Sequence, residues 1–406
     1  MALSKRLGRL LGLGPDTPPE QKASAVSRVM VHRPGAPVWT PRRYETLAQE
    51  GYRINPIAYK CVRLIAASTA RLPWVVFREK HPLNHHPLLD LLTRPNPMSG
   101  GQLLREALFS HYLTAGNAYL EAVVGQSGPV QELFVLRPDR MKIVPGNDGA
   151  RGYVYSVGGR QHTFGPRDLR GHPPILHMRT FNPLDDWYGM SPLEAAARAV
   201  DQHNEASAWN KAMLQNMGRP SGALVVKDEG GLTEQQFARL KSEMERHYQS
   251  ADNAGRPLLL EGGLEWQEMG MSARDLDWLA GKDLAAREIA QVYQVPPQLI
   301  GIPDAQTYSN NREARLALYE DAVMPLADLF AESMTSWLAP FFGEDLTLSY
   351  DKDRVEALSP RRDRLYQRLA GADWLTRNEK RVATGFDPMA KSNTPVEQDD
   401  VNPSAA

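Results

Sequence analysis

Apolar and polar residues follow two different periodicities in the first half of the chain. Over 56–116, apolar residues recur three and four positions apart, which predicts three helices, the first ending before Leu72. A strand is predicted at 74–77. Short β-like runs follow over 117–180, separated by Gly, Pro, Asp and Asn. Because successive short strands favour antiparallel pairing, residues 46–190 are predicted to form one α+β domain.

Two long helices with a small insert between them are predicted next. Ser191-Pro192-Leu193-Glu194 is a capping box with proline at the first helical position, and it opens a helix over 191–217, roughly 40 Å long. A second helix is predicted at 272–295. The segment between them, 218–271, has the pattern strand, helix, strand, strand, with a helix cap at Thr233–Gln236.

A third long helix is predicted at 312–340. Asn310 and Asn311 can cap its start. Pro325 lies in its interior, where it removes a backbone hydrogen bond and clashes with the preceding turn. Since the apolar spacing continues on both sides, the pattern predicts a kinked helix, followed by a strand at 345–351.

The two ends of the chain differ from the rest. Helices are predicted over 356–389, the last of them opened by a capping box of Thr376 and Glu379. Residues 1–45 are rich in Pro, Ser and basic residues and are predicted to form a flexible arm. Residues 390–406 contain few large apolar side chains and are predicted to be disordered.

Composition narrows the possible functions. The 406 residues contain 47 basic and 48 acidic side chains, a net charge of −1, whereas proteins that coat nucleic acid usually carry a basic excess. Cys61 is the only cysteine, which excludes an internal disulfide and a multi-cysteine zinc site. No apolar run approaches the length of a membrane span.

One segment is similar to part of a DNA-reading motif. Residues 287–304, REIAQVYQVPPQLIGIPD, begin like the first half of a helix-turn-helix. One candidate function is therefore a DNA-binding regulator that uses residues 283–302, and it stays the alternative to the function reached below. However, Pro296-Pro297 and Pro303 leave room for about one and a half turns of a second helix. Glu288 to Asn311 also contains no Lys or Arg, and phosphate contacts supply most of the affinity of DNA readers.

No set of catalytic residues emerges from the sequence. Gly281-Lys282 is followed by Asp283 rather than Ser or Thr, so a Walker A phosphate loop has no support. The histidines at 81, 85 and 86 lie in a Pro- and Asn-rich segment without metal-ligand spacing. The chain is therefore predicted not to be an enzyme and to carry no cofactor or metal.

Eight sequence motifs, in order, resemble the portal proteins of tailed bacteriophages and gene transfer agents, in particular the short siphovirus-type portal family. The resemblance covers about residues 50–388. The motifs are NPIAYKCVRLIAASTARLPW (55–74), HPLLDLLTRPNP (86–97), TAGNAYLE (114–121), ELFVLRPDRMKIVP (132–145), YGMSPLEAA (188–196), GRPLLLEGGLEW (255–266), REIAQVYQVPPQLIG (287–301) and, after the kinked helix, LTRNEKR (375–381).

The resemblance implies a closed ring of twelve identical subunits at one vertex of a capsid, around a channel for double-stranded DNA. Implied partners are the large terminase, the head–tail adaptor and the major capsid protein, with no membrane and no sequence-specific DNA binding. By this likeness the chain divides into an arm (1–45), a wing (46–190 with strand 345–351), stem helices (191–217 and 272–295), a clip (218–271), a tunnel loop (296–311), a kinked helix (312–340), a crown (356–389) and a tail (390–406).

Two groups of site residues follow from the resemblance. The tunnel loop would face the DNA through Pro296, Gln298, Leu299, Ile300, Gln306, Tyr308, Ser309 and Asn310. The clip would meet the terminase and then the adaptor through Lys227, Asp228, Glu229, Glu234, Arg239 and Glu243. The composition agrees with a conduit, since a channel through which DNA slides must not hold phosphates tightly.

Overall fold

The computed structural model describes residues 39–79, 81–125, 130–146, 149–167, 169, 171–215, 222–226, 242, 264–268, 278–302, 308–342 and 345–389. Its helices are α1 (Tyr44–Thr46, continuing as the π-helix Leu47–Ile54), α2 (Pro56–Ala70), α3 (Pro87–Thr93), α4 (Gly101–Ala115), α5 (Pro192–Ala195), α6 (Ala197–Gln215), α7 (Trp278–Val292), α8 (Tyr308–Leu318, continuing as the π-helix Tyr319–Val323), α9 (Met324–Phe342), α10 (Ser359–Ala370) and α11 (Arg377–Ala383).

The described strands form four antiparallel sheets. The strands are β1 (Trp74–Arg78), β2 (His81–Leu83), β3 (Asn117–Val124), β4 (Val130–Leu136), β5 (Met141–Gly146), β6 (Gly149–Val157), β7 (Arg160–Phe164), β8 (Ile175–Arg179), β9 (Gly222–Val226), β10 (Leu264–Glu268) and β11 (Leu346–Tyr350). Their orders are β11-β1-β2, β4-β3-β8, β5-β6-β7 and β10-β9. The predicted antiparallel pairing is thus confirmed, and β11 joins β1 despite its distance along the chain.

Helix α2 lies at the centre of the fold. Asn55 caps it, because its Oδ1 accepts hydrogen bonds from the amides of Ile57 and Ala58, both at 3.0 Å. Pro56 at the first helical position has no amide that would need a partner. The apolar face predicted from the sequence is buried in the main core, which confirms this helix.

A buried arginine joins helix α4 to the C-terminal ends of α2 and α3. Arg105 on α4 donates from Nη1 to the carbonyl of Leu92 (2.8 Å), and from Nε and Nη2 to that of Ala70 (3.2 and 3.1 Å). These carbonyls lie in the last turns of α3 and α2, where no intrahelical amide is available. Burial lowers the pKa of Arg105 to about 10, so the side chain remains charged at neutral pH.

A buried asparagine links the sheet to the start of α5. Asn117, the first residue of β3, donates from Nδ2 to the carbonyls of Ala115 and Gly189, both at 3.0 Å. Its Oδ1 accepts from the Gly189 amide at 2.8 Å and from Nε2 of His177 at 2.9 Å. Asn117 therefore ties the segment before α5 to β3 and β8.

The helix predicted over 191–217 is interrupted. Ser191 caps α5 as expected, its Oγ accepting from the amide of Leu193 at 3.1 Å. Glu194 instead lies 4.0 Å from Arg42. The chain breaks at Ala196 before α6 begins, so two helices replace the single one. The predicted capping box of Thr376 and Glu379 at α11 is confirmed.

The third long helix starts earlier than predicted and passes through Pro325. It begins at Tyr308, so Asn310 and Asn311 lie inside its first turn rather than capping it. Just before the proline the helix widens, and the amide of Met324 donates to the carbonyl of Tyr319, five residues earlier. This π-turn accommodates the missing proline amide, so the helix continues as α9 instead of stopping.

Candidate channel segment and arginine cleft

The segment that follows α7 is anchored to the core at its start. Tyr293 is buried and its hydroxyl donates to the carbonyl of Leu113 at 3.1 Å. Burial raises the pKa of this tyrosine well above its ordinary value. The amide of Val295 donates to the carbonyl of Ala290 at 2.9 Å, which closes the end of the helix. The chain therefore leaves α7 along a fixed path.

A tight turn follows the double proline. Gln294 has a left-handed backbone (φ 55°), and Pro297–Ile300 form a single 3₁₀ turn that ends at Gly301 (φ 88°). The amide of Ile302 donates to the carbonyl of Pro297 at 3.2 Å, and the Ile302 side chain is buried. This segment is a structured turn seated on the core over 296–302.

The predicted tunnel-loop residues fall into three groups. Pro296, Gln298, Leu299 and Ile300 are half-buried, and the last two pack against the main core. Tyr308, Ser309 and Asn310 belong to the first turn of α8 rather than to a loop, and Asn310 is exposed. Gln306 lies outside the described residues. Whether these residues face DNA stays a prediction.

In the segment predicted to form the clip, the structure describes strands β9 and β10 and the single residue Ser242. β9 and β10 pair antiparallel, with Leu224 opposite Trp266, in agreement with the strands predicted at these positions. The predicted partner-binding residues Lys227, Asp228, Glu229, Glu234, Arg239 and Glu243 lie outside the described residues, as does the helix predicted from Thr233 apart from Ser242.

Helices α6 and α7, which are predicted to form the stem, pack against each other. Val200 and Ala206 on α6 are buried, as are Ala285 and Ile289 on α7. Asp201 on α6 also fixes the chain before α1, because its carboxylate accepts from the backbone amide (3.0 Å) and the hydroxyl (2.6 Å) of Thr40.

A cleft of about 780 Å³ lies beside the 3₁₀ turn. Gln298 and Leu299 contribute to its wall, together with the end of α2, the start of α8 and the turns before α10. Four arginines line it, with Glu356 as the acidic residue among its lining. The arginines are Arg71, Arg312, Arg315 and Arg354.

These arginines have no described ionic partner, although arginines nearby do. Arg361 and Arg364 on α10 pair with Glu320 (3.1 Å) and Glu313 (2.5 Å). None of the four cleft arginines forms an ion pair with a described residue. Sequence spacing did not indicate this cleft, because its arginines come from three distant parts of the chain and only the fold brings them together.

Over residues 283–302, all of which the structure describes, the alternative helix-turn-helix has no second α-helix. After α7 the structure provides one 3₁₀ turn of four residues, too short to lie along a major groove. In the described parts of the chain, no group of three or more His, Cys, Asp or Glu side chains could hold a metal ion. None of the described helices is long and apolar enough to cross a membrane.

Comparison with known proteins gives consistent matches. A family model described as phage portal protein matches residues 56–385. The chain is 39% identical over 340 residues to an uncharacterized protein of Rickettsia bellii, covering 83% of this chain and 88% of the relative. It is 24% identical over 360 residues to the portal protein of Enterobacteria phage HK97, covering 84% of this chain and 80% of that protein.

Solved structures agree with these sequence matches. A chain in the neck of an empty gene transfer agent particle is 47% identical, with a TM-score of 0.70, over 87% of this chain and 96% of that chain. An HK97-family portal protein from Corynebacterium diphtheriae, 16% identical with a TM-score of 0.55, shares the fold. The α+β portal fold inferred from the motif order is thereby confirmed. Because the family model spans most of the helices and sheets described above, the chain belongs to the phage portal protein family.

Proposed function

We propose that this portal protein forms a ring at one capsid vertex, through which double-stranded DNA enters and leaves the particle. The observation that carries this proposal is the 47% identity to a chain in a gene transfer agent neck, across 87% of the present chain. A related neck structure was computed with C12 symmetry, which supports a ring of twelve subunits. The role is structural, in a virion or phage-like particle.

The channel segment supports passage without retention. Glu288 to Asn311 carries no Lys or Arg, and its described part consists of the end of α7, a 3₁₀ turn over 297–300 and the start of α8. A ring of such segments can surround DNA without forming ion pairs to its phosphates, each of which would slow movement. The large terminase and then the head–tail adaptor would dock on the clip, and the major capsid protein would surround the ring.

Ring formation is the first test. Purified full-length protein should sediment as a ring-sized oligomer, and negative-stain images should show rings with twelvefold rotational symmetry. A protein that stays monomeric across salt and protein concentrations would contradict the proposal.

The channel segment can be tested by adding charge. Lysine at Gln306 or Ser309 should slow DNA packaging or ejection while rings still assemble, because each ring would gain a set of phosphate-binding cations. Gln161→Lys, on the exposed strand β7, is the matched control and should leave both rates unchanged. If packaging and ejection in the Gln306 and Ser309 variants match those of the control, these residues do not face DNA.

The clip can be tested by reversing its charge. Glu234→Lys with Glu243→Lys should weaken binding of assembled rings to the large terminase, since rim charges steer association. Unchanged terminase binding would place the docking surface elsewhere.

A further inference from the structure

Two oppositely charged surfaces lie at opposite ends of helix α2. The basic one is the arginine cleft, where Arg71 is the residue directly after the helix and Ser68 lies in its last turn. Four arginines and one glutamate line the cleft, which leaves three net positive charges. A concave surface with several cations and apolar walls fits a carboxylate-bearing protein segment or a phosphate backbone.

The acidic surface lies before the start of α2. Glu50 on α1 is close enough to Asp201 and Glu205 on α6 that, after burial, their two charges raise its pKa. The elements are held together by Asn204, whose Nδ2 donates to the carbonyl of Glu50 and whose Oδ1 accepts from Asn55, both at 3.0 Å. We call Glu50, Asp201 and Glu205 the acidic patch.

The acidic patch is not neutralised by the described residues around it. Arg53, on the same helix as Glu50, donates to the side chain of Gln49 instead, at 2.8 Å. Neither Glu50 nor Glu205 forms an ion pair with a described residue. A cation supplied by another molecule would therefore relieve repulsion that the subunit itself leaves in place.

The distance between the two surfaces makes them suited to contact between copies. Helix α2 has 15 residues, so its ends are about 22 Å apart. The patch and cleft of one subunit are then too far apart to neutralise each other. In a closed ring every contact is head-to-tail, and each subunit offers one surface to one neighbour and a different surface to the other.

DNA is the less suitable occupant of the cleft. Twelve copies of four arginines would hold the phosphates of a moving duplex, against the requirement of a conduit. The cleft also has a complementary surface available on an identical chain. We propose that the arginine cleft of each subunit binds the acidic patch of its neighbour and so sets the direction of assembly; this rests on the proposed ring.

Charge reversal on each surface tests the proposal. An arginine variant carries Arg312→Glu and Arg354→Glu, and an acidic-patch variant carries Glu50→Lys and Glu205→Lys. Each alone places like charges at every contact, so the fraction of protein sedimenting as rings should fall about tenfold or more. Arg151→Glu with Arg160→Glu, on strands β6 and β7, reverses two exposed arginines away from both surfaces and should assemble as wild type.

Mixing the two variants gives the decisive result. In a ring that alternates the two, every reversed cleft meets a reversed patch and every native cleft meets a native patch. A one-to-one mixture should therefore recover rings, and native mass spectrometry should find both chains in equal number. This recovery requires both variants to be folded, so it separates a lost contact from a lost fold.

The remaining outcomes overturn the inference. Variants that assemble as well as wild type, or a mixture that stays unassembled, would show that these surfaces do not meet. An arginine variant that forms normal rings but binds a short duplex more weakly would assign the cleft to DNA. Wild-type protein that forms no ring would refute the proposed function itself, whereas wild-type rings with unaffected variants would refute only this contact.

Discussion

Replacing Asn117 by alanine tests how the segment before α5 is held. The four hydrogen bonds of Asn117 connect the end of α4, the strand β8 and the chain at Gly189. Alanine leaves the buried amide and carbonyl of Gly189 without their partner. Water cannot easily replace it, because Gly189 is packed so closely that a side-chain carbon there would lie 2.2 Å from the carbonyl oxygen of Gly116.

The expected loss follows from the groups left unpaired. Each buried polar group without a partner costs about 1–3 kcal/mol, so the two groups of Gly189 give a loss of about 2–6 kcal/mol in the free energy of unfolding. Asn182 is the matched control in the same segment. It bonds only within that segment, to the carbonyl of Tyr188 and the amide of Leu184, both at 3.0 Å. Asn182→Ala should cost about 1 kcal/mol.

Urea unfolding followed by tryptophan fluorescence measures both variants against wild type. Asn117→Asp adds a check, because it keeps the acceptor for Gly189 but places a carboxyl group beside His177. The difference in free energy of unfolding between this variant and wild type should become smaller from pH 7 to pH 5, because protonation of the new carboxyl group or of His177 favours the contact between them. A loss for Asn117→Ala no larger than that for Asn182→Ala would refute the reasoning.

Three further outcomes are expected. Arg105→Met should lower the free energy of unfolding by about 2 kcal/mol in urea titrations, because it leaves carbonyls in the last turns of α2 and α3 unpaired. The control Arg63→Met, on the exposed face of α2, should change this free energy by less than about 0.5 kcal/mol. Burial first, and nearby arginine charge second, lower the pKa of His111 and His177 to about 4. Because the unfolded chain then binds protons that the folded chain does not, the free energy of unfolding should fall as pH drops from about 6.5 towards 4, by on the order of 3 kcal/mol per histidine. A urea midpoint that stays constant over this pH range would contradict the prediction. Thr376→Ala should speed amide exchange in α11 and leave the core protected, because it removes the hydroxyl that accepts from the third amide of that helix.

The strands were the part of the fold most readily predicted from sequence. Their alternation and turn residues are local signals, and β3 and β7 fall within the 117–180 range in which the pattern predicts short strands. The observed structure differs from the predicted one where residue spacing does not show which partner a side chain or a backbone amide finds. Glu194 lies near Arg42 rather than completing its capping box. The helix continues through Pro325 as the apolar spacing predicts, but neither the π-turn before this proline nor the helix start at Tyr308 was expected. None of these features can be inferred from residue spacing.

The candidate site shows the same limit more strongly. The absence of cations from 288–311 is visible in the sequence, and so is the double proline that ends α7. The sequence does not show which of these residues reach the core. In the structure, Leu299 and Ile300 pack against it. The cleft could not be predicted from the sequence, since Arg71, Arg312 and Arg354 lie far apart along the chain and only the fold brings them together.

The position of the cleft creates a conflict that ring assembly can resolve. Gln298 and Leu299 belong to the cation-free segment, yet they share a cleft with four arginines. If the neighbour's carboxylates occupy this cleft, each contact hides cations that would otherwise bind phosphates. Unassembled subunits should then bind a short duplex without sequence preference. The outer surface of assembled rings should bind the same duplex far more weakly. For free subunits, the slope of log affinity against log salt should approach about −0.9 for each arginine engaged, so about −3.6 at most. Fluorescence anisotropy on dilute subunits and on isolated rings measures both values. Equal affinity in the two states would mean that assembly leaves the arginines exposed.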